Sequence, residues 1–305
     1  MKLPRASLAA LLTAQTQETF NDCAAKMMLG ALAQQLARVQ GVDPKPILAI
    51  IAALLVLPYV AFGPICGWLS DRYPKRTVLN GTLIAQIGVM LLLVAALWLK
   101  SFDGAILCFF LLCAETAVLA PAKRGILLEY VGPQKLSRWV GYMEMFNITA
   151  ILVGSFAGGA MFSHWLSTGG DPWQAAQNTA WVLTVLAVLA WALFQVAEPT
   201  KAHSAEPFRW SLWVRHFTDV AGVWHTRPLW RATMGICFFY GVGGYATVLL
   251  QQVGYELTHG GPGAGLASSQ LLLMVGVGTM VGNLLAGLLS RRGVELGLVV
   301  VGSLV

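Results

Sequence analysis

Charge is what this sequence has least of. Only 11% of its 305 residues are charged, while 57% are hydrophobic; an ordinary soluble domain carries roughly 25% charged residues. So few ionisable groups cannot cover the surface of a water-soluble fold of this length. Histidine is also scarce, at five residues. His164 with Asp171 and His216 with Asp219 have the wrong spacing for the His-x4-Asp pair of a membrane acyltransferase, and His203, His225 and His259 fall in loops without partners. The five cysteines (Cys23, Cys66, Cys108, Cys113, Cys237) form no CxxC and no Cys/His cluster, which argues against a disulfide framework or a zinc site. No basic face with interleaved aromatics occurs, so the net charge of +6 does not point to nucleic acid. The expectation is a non-enzyme with no catalytic residues, cofactor or metal.

What is present is a succession of apolar runs, each near the roughly 20 residues a membrane helix needs. The spans read as Ser7–Leu36 (polar for a span), Ile47–Ser70, Thr77–Leu99, Ala105–Leu128, Val140–Trp165 and Ala175–Ala197. Arg231–Val253, Ala267–Ser290 and a run from Gly297 to Val305 follow. Lys2 and Arg5 ahead of a short apolar run resemble a signal peptide, but the run continues into a longer helix and reads as the first span. Gly- and Pro-rich connections such as Gly41–Pro44 and Gly169–Pro172 separate the runs.

Cations alternate in number from one side to the other. One side holds Lys2, Arg5, Arg72, Lys75, Arg76, Lys135, Arg138, Lys201, Arg209, Arg215, Arg227, Arg231, Arg291 and Arg292; the other holds only Arg38, Lys45 and Lys100. By the positive-inside bias this places the N terminus in the cytoplasm. The polar connection Glu198–Arg231 reads as a plain connector between two bundles. The alternative is a surface helix over Trp210–Trp224, with Trp210, Trp213, Phe217 and Val220 near one face.

A device recurs at two span ends. Gly67-Trp-Leu-Ser-Asp71-Arg72 closes the second span, and Gly287-Leu-Leu-Ser-Arg291-Arg292 closes the eighth. Six spans separate the copies, which suggests two related six-helix halves. With Lys75 and Arg76, the first copy resembles the loop signature of the major facilitator superfamily, with Pro74 where that signature has glycine. Gly67 is expected to let two helices approach closely. Asp71, Arg72, Lys75 and Arg76 are expected to form a gating loop whose cations latch onto carboxylates or helix ends of the neighbouring bundle. The implied architecture is an all-α integral membrane bundle. Residues 1–197 would form a complete N-terminal six-helix bundle, 198–230 a cytoplasmic linker, and 231–305 the start of a C-terminal bundle. That second half would stop after about two and a half spans, so the chain reads as truncated by roughly 90 to 100 residues.

Ionisable residues inside spans are costly and usually face a cavity or one another. Glu18, Asp22 and Lys26 in the first span are four residues apart and share a helical face. Asp22 is either a binding or gating group or a structural partner of Lys26. Lys123 in the fourth span either engages a phosphate or snorkels to headgroups, while Arg124 anchors at the interface. Glu115 is a cavity group, a proton site or a partner of Lys123. Glu144 and Asn147 share a face of the fifth span, for substrate or for interhelical hydrogen bonds.

Phe20-Asn-Asp-Cys-Ala-Ala-Lys26, Ala120-Pro-Ala-Lys-Arg-Gly-Ile126, Gly141-Tyr-Met-Glu144 and Ile151–Gly159 resemble the bacterial lysophospholipid transporter family of that superfamily. The resemblance covers the N-terminal half. It implies an inner-membrane flippase moving lysophospholipids, notably lysophosphatidylethanolamine, by alternating access, with an acyltransferase–acyl-ACP synthetase as a possible partner. It also implies that Asp22 addresses the headgroup amine and Lys123 the phosphate, with Lys26, Glu115, Glu144 and Asn147 as further candidates. Alternatives are a facilitator of drugs, sugars or small metabolites, a membrane-embedded acyltransferase, and a non-transporting fragment.

Overall fold

The computed structural model describes residues 5–42, 45–201, 211–257 and 264–289. Ten helices are formed among them: α1 (Arg5–Gln40), α2 (Lys45–Leu54), α3 (Leu57–Arg72), α4 (Lys75–Trp98), α5 (Phe102–Val131), α6 (Pro133–Gly169), α7 (Pro172–Phe194), α8 (Leu212–His225), α9 (Arg227–Leu257) and α10 (Ala264–Leu289). No strand occurs among the described residues. Among the described residues five helical segments are long and apolar enough to cross a membrane, beginning at Pro46, Lys75, Phe102, Pro133 and Pro172. The expected second span is α2 and α3 together, interrupted only at Leu55 and Val56, where Pro58 opens α3.

The chain divides into two compact units. One comprises residues 1–206 with 283–305, and the other residues 207–282. In the second unit α8 packs against α9, and the rings of Trp224 and Trp230 lie 3.9 Å apart. The expected plain connector therefore contains a helix. Val220 and Trp224 on it are exposed; Trp210 lies outside the described residues. A run of helix-compatible residues between Ser211 and Thr226, free of proline and with one glycine, gives the backbone no reason to break.

Local chemistry sets the corners of the first unit. Ser101 caps α5 by accepting from the Gly104 amide at 3.2 Å, and Asp171 caps α7 by accepting from the Trp173 amide at 3.0 Å, each satisfying a donor the helix leaves open. The turns at Gly132 (φ +70°) and Gly170 (φ +74°) use left-handed backbone that glycine adopts without strain.

Within this unit α1 packs against α6, α7 and α5, and α4 bridges α5 and α7. The apolar core forms two clusters. One gathers Met28, Leu29 and Leu32 of α1 with Leu93, Phe109, Phe162 and Leu183. The other gathers Leu8 and Leu11 of α1 with Leu79, Leu83, Leu119, Ile126 and Phe194. Along α1 the segment between them is polar yet buried: Gln15, Glu18, Asn21 and Asp22. The first span is therefore polar because it lies inside the bundle, with its polar side chains turned onto other helices.

Small residues make that position possible. A Cβ on Gly154 would meet the Phe20 carbonyl oxygen at 2.6 Å, and one on Gly158 would collide with the Ala24 backbone. Gly141 lies equally close to the Gly287 backbone within the same unit. Gly67, by contrast, has nothing within 4 Å of its Cβ position. The close approach expected there is made at α1–α6, because the sequence marks glycines but not which helix faces them.

Gly158→Val should therefore destabilise the bundle by about 1–3 kcal/mol through overpacking. Gly67→Ala should be neutral or stabilising by up to about 1 kcal/mol, the helix-propensity difference. Thermal unfolding of the detergent-solubilised protein measures both, and equal losses from the two substitutions would contradict the packing described.

Candidate functional site

The polar layer between the two apolar clusters is built mainly by α1 and α5. Glu18 is fully buried, and the Lys123 Nζ reaches its carboxylate at 3.8 Å. Thr116 donates to Asp22 Oδ2 at 2.7 Å while sharing its hydroxyl with the Leu112 carbonyl at 3.1 Å. Glu115, the neighbour of Thr116, is 7% exposed. Three carboxylates and one ammonium thus occupy one buried region, where charge is expensive unless paired.

The same face of α1 is tied to the rest of the unit by neutral groups. Gln15 donates to the Met143 carbonyl at 2.8 Å, and Thr19 donates to Asn147 Oδ1 at 2.8 Å. Asn21 donates to the Leu183 carbonyl at 3.0 Å. These bonds set the rotation of α1, and so the direction in which Glu18 and Asp22 point.

Several candidate residues come together and others do not. Asp22 and Lys123 join the same cluster, linked through Glu18 and Thr116. Lys123 turns inward to Glu18, so it neither snorkels outward nor pairs with Glu115. Asp22 is held by Thr116, not by Lys26. Lys26 is half-buried in a groove of about 370 Å³ lined by residues of α1, α2 and α6, among them Gln34, Leu48 and Ser163. Although Asp22 and Lys26 are one turn apart, the long lysine side chain is drawn to that polar opening. Asn147 is engaged by Thr19; Glu144 is half-buried on the same helix. Arg124 is exposed.

Glu18 is the member that residue-by-residue reading left out of the site. Its signal was its position one turn before Asp22 on the same face; what was missing was its partner, more than a hundred residues away on α5.

At the end of the unit that carries the α3–α4 turn, the charged loop does something other than expected. Lys75 is buried and pairs with Glu129 of α5 at 2.8 Å, its stem lying against Gly125, where a Cβ would collide with it. Arg76 closes the C-terminus of α7: its Nε donates to the Ala197 carbonyl at 2.6 Å and its Nη2 to the Gln195 carbonyl at 3.0 Å. Its backbone amide donates to Thr200 Oγ1 at 3.0 Å. Tyr130 donates to the Glu198 carbonyl at 2.7 Å, and the Glu198 amide donates to Ser7 Oγ at 3.0 Å. The carboxylate and helix end that the loop cations seek thus belong to their own half. Short reach explains this, since α4 emerges directly between α5 and α7. Asp71 is exposed and Arg72 half-buried. Arg291 and Arg292 lie outside the described residues, and Gly287 ends against Gly141.

A bundle of membrane-length helices enclosing a buried charged layer is the construction of a multi-pass membrane protein. The model of the Major Facilitator Superfamily matches residues 19–305, and the chain belongs to that superfamily. Among curated proteins, it is similar to the lysophospholipid transporter LplT of Photorhabdus laumondii subsp. laumondii, 29% identical over 242 residues, covering 77% of this chain and 54% of the relative. The lysophospholipid transporter LplT of Salmonella typhimurium is 27% identical over 279 residues, covering 89% of this chain and 63% of the relative. That of Yersinia pestis is 32% identical over 158 residues, covering 51% and 36%. The chain thus spans 36–63% of the length of these relatives.

Arg76→Ala should cost about 1–3 kcal/mol, the usual worth of charge-assisted hydrogen bonds to a helix end. Arg76→Lys should recover less than half of it, because an ammonium cannot span the two carbonyls as the guanidinium fork does. Thermal unfolding, together with protease cleavage after Gln195, reads the effect. Unchanged cleavage in both variants would show that the arginine does not hold this end.

Proposed function

We propose that this protein moves a lysophospholipid of the lysophosphatidylethanolamine kind across the bacterial inner membrane by alternating access between two bundles. Residues 1–197 form the first bundle, 198–230 the cytoplasmic linker and 231–305 part of the second. The observation that carries this reading is the buried pairing of opposite charges on α1 and α5, with Asp22, Glu18 and Lys123 within one layer. Kinship with proteins named lysophospholipid transporters supports a lysophospholipid as the substrate.

The chemistry follows from the pairs. A zwitterionic headgroup brings an ammonium and a phosphate together. Asp22 has one oxygen engaged by Thr116 and the other without a hydrogen-bond partner among the described residues, so it can accept from the ammonium. Lys123 holds Glu18 only loosely, at 3.8 Å. A phosphate, which presents several acceptor oxygens, competes with Glu18 for it, so that both charges of the headgroup meet an opposite charge in the layer. Lys26, Glu144 and Asn147 border the path as further headgroup contacts. Asp71 and Arg72 serve as the gating pair of the loop, with Lys75 and Arg76 anchoring it and Gly287, Arg291 and Arg292 as its counterpart in the second half.

The excess of lysine and arginine on alternate connections puts the N terminus in the cytoplasm. Substrate brought inward would be reacylated there by an acyltransferase–acyl-ACP synthetase; the transporter itself makes and breaks no bond.

Uptake of labelled lysophosphatidylethanolamine into proteoliposomes tests the assignment. Asp22→Asn and Lys123→Ala should each lower uptake about ten- to a hundredfold, the equivalent of one charge-assisted bond, with membrane insertion intact. Lys123→Arg, which keeps the charge, should retain part of it. Wild-type uptake in both neutral variants would remove these residues from the path.

A further inference from the structure

Glu115, a carboxylate of the buried layer, also lines a groove. The groove, of about 510 Å³, runs between α3 and α4 over a floor of α5, because α3 leans on α5 more than on α4. Its walls are apolar: Phe62, Ile65 and Leu69 on one side, Gly81 and Ala85 on the other, Val118 below. Neither oxygen of Glu115 meets a hydrogen-bond donor by distance and angle among the described residues. Thr82 lines the same groove within reach of Glu115, but shares its hydroxyl with the Leu79 carbonyl at 2.9 Å. A desolvated acceptor so poorly supplied with donors is costly, and here it stands at the base of a hollow of ligand size.

We propose that the α3–α4 groove is a binding site for a single-chain amphiphile with an ammonium headgroup, the chain lying between the two helices and the ammonium on Glu115. Complementarity decides the occupant. The walls are mostly apolar, with the hydroxyls of Tyr73 and Thr77 as polar exceptions, so the ligand brings a hydrocarbon tail. The floor offers one acceptor and no cation, so the ligand brings a positive donor. A bare metal ion would find too few oxygens, since Glu115 is the single carboxylate among the lining residues and hard cations want six or more ligands. As a stage on the substrate's path the site rests on the transport reading above. As a site for ammonium amphiphiles it stands without it.

The sequence itself provides a plug. Gly81 lies on the groove wall with nothing within 4 Å of its Cβ position, so Gly81→Leu fills the hollow without forcing the backbone, and Ala85→Leu does the same one turn further on. The probes are dodecylammonium and dodecyl sulfate, each with a photoreactive group at the chain terminus, applied to the protein in lipid nanodiscs. Dodecylammonium should label the segments 62–69 and 77–85, competed by excess unlabelled probe, and the sulfate should label them at least about tenfold less. Gly81→Leu, Ala85→Leu and Glu115→Gln should each reduce the ammonium labelling by about tenfold or more. Equal labelling by the sulfate, or labelling unchanged in the variants, overturns the site. Competition by lysophosphatidylethanolamine separates the two readings. If dodecylammonium labels the groove and the lysolipid neither competes nor is taken up, the site stands and the transport assignment falls. If the lysolipid is taken up while the groove stays unlabelled, only the site falls.

Discussion

The polar face of α1 is the constraint around which the first unit is organised. In a bilayer a helix carrying Gln15, Glu18, Asn21 and Asp22 cannot face lipid, where each unsatisfied polar group costs several kcal/mol. It must be wrapped by other helices, and those helices must present partners at the right heights. Met143, Leu183 and Asn147 supply carbonyl or amide oxygens, Thr116 a hydroxyl, and Lys123 a charge. Wrapping also requires close approach, which Gly154 and Gly158 permit by leaving room for the α1 backbone. Polar centre and glycine-lined neighbour are two sides of one requirement.

That arrangement divides the apolar core into two clusters with a charged layer between them. Such a layer weakens the fold relative to a continuous apolar one, since buried pairs rarely repay their desolvation. Its retention is understandable where the layer has a second use, and the transport proposed above would give it one. The loose Glu18–Lys123 contact, beside the tighter Thr116–Asp22 bond, suits exchange better than permanent structure.

The charged turn after α3 shows how one motif divides its work. Lys75 and Arg76 look inward to Glu129 and the end of α7 and hold the first unit's own helices. Asp71 and Arg72 stand further out. Asp71 and Arg72 end α3 while Lys75 and Arg76 open α4 beyond the Tyr73–Pro74 turn, so the two pairs sit on different helices and meet different neighbours.

The helical class, the approximate helices from Ser7 to Ala197, and the concentration of buried charge on α1 and α5 were legible in the sequence. Apolar length and the cost of charge in lipid leave few other readings, and both are local properties. Pairing was not legible. That Lys123 meets Glu18 rather than Glu115, that Asp22 rests on Thr116 rather than Lys26, that Gly158 and not Gly67 is the close contact, and that Glu115 opens onto a groove were all decided by helix rotation and neighbour choice. Those depend on packing between residues far apart in the chain, whose free energy no single segment contains.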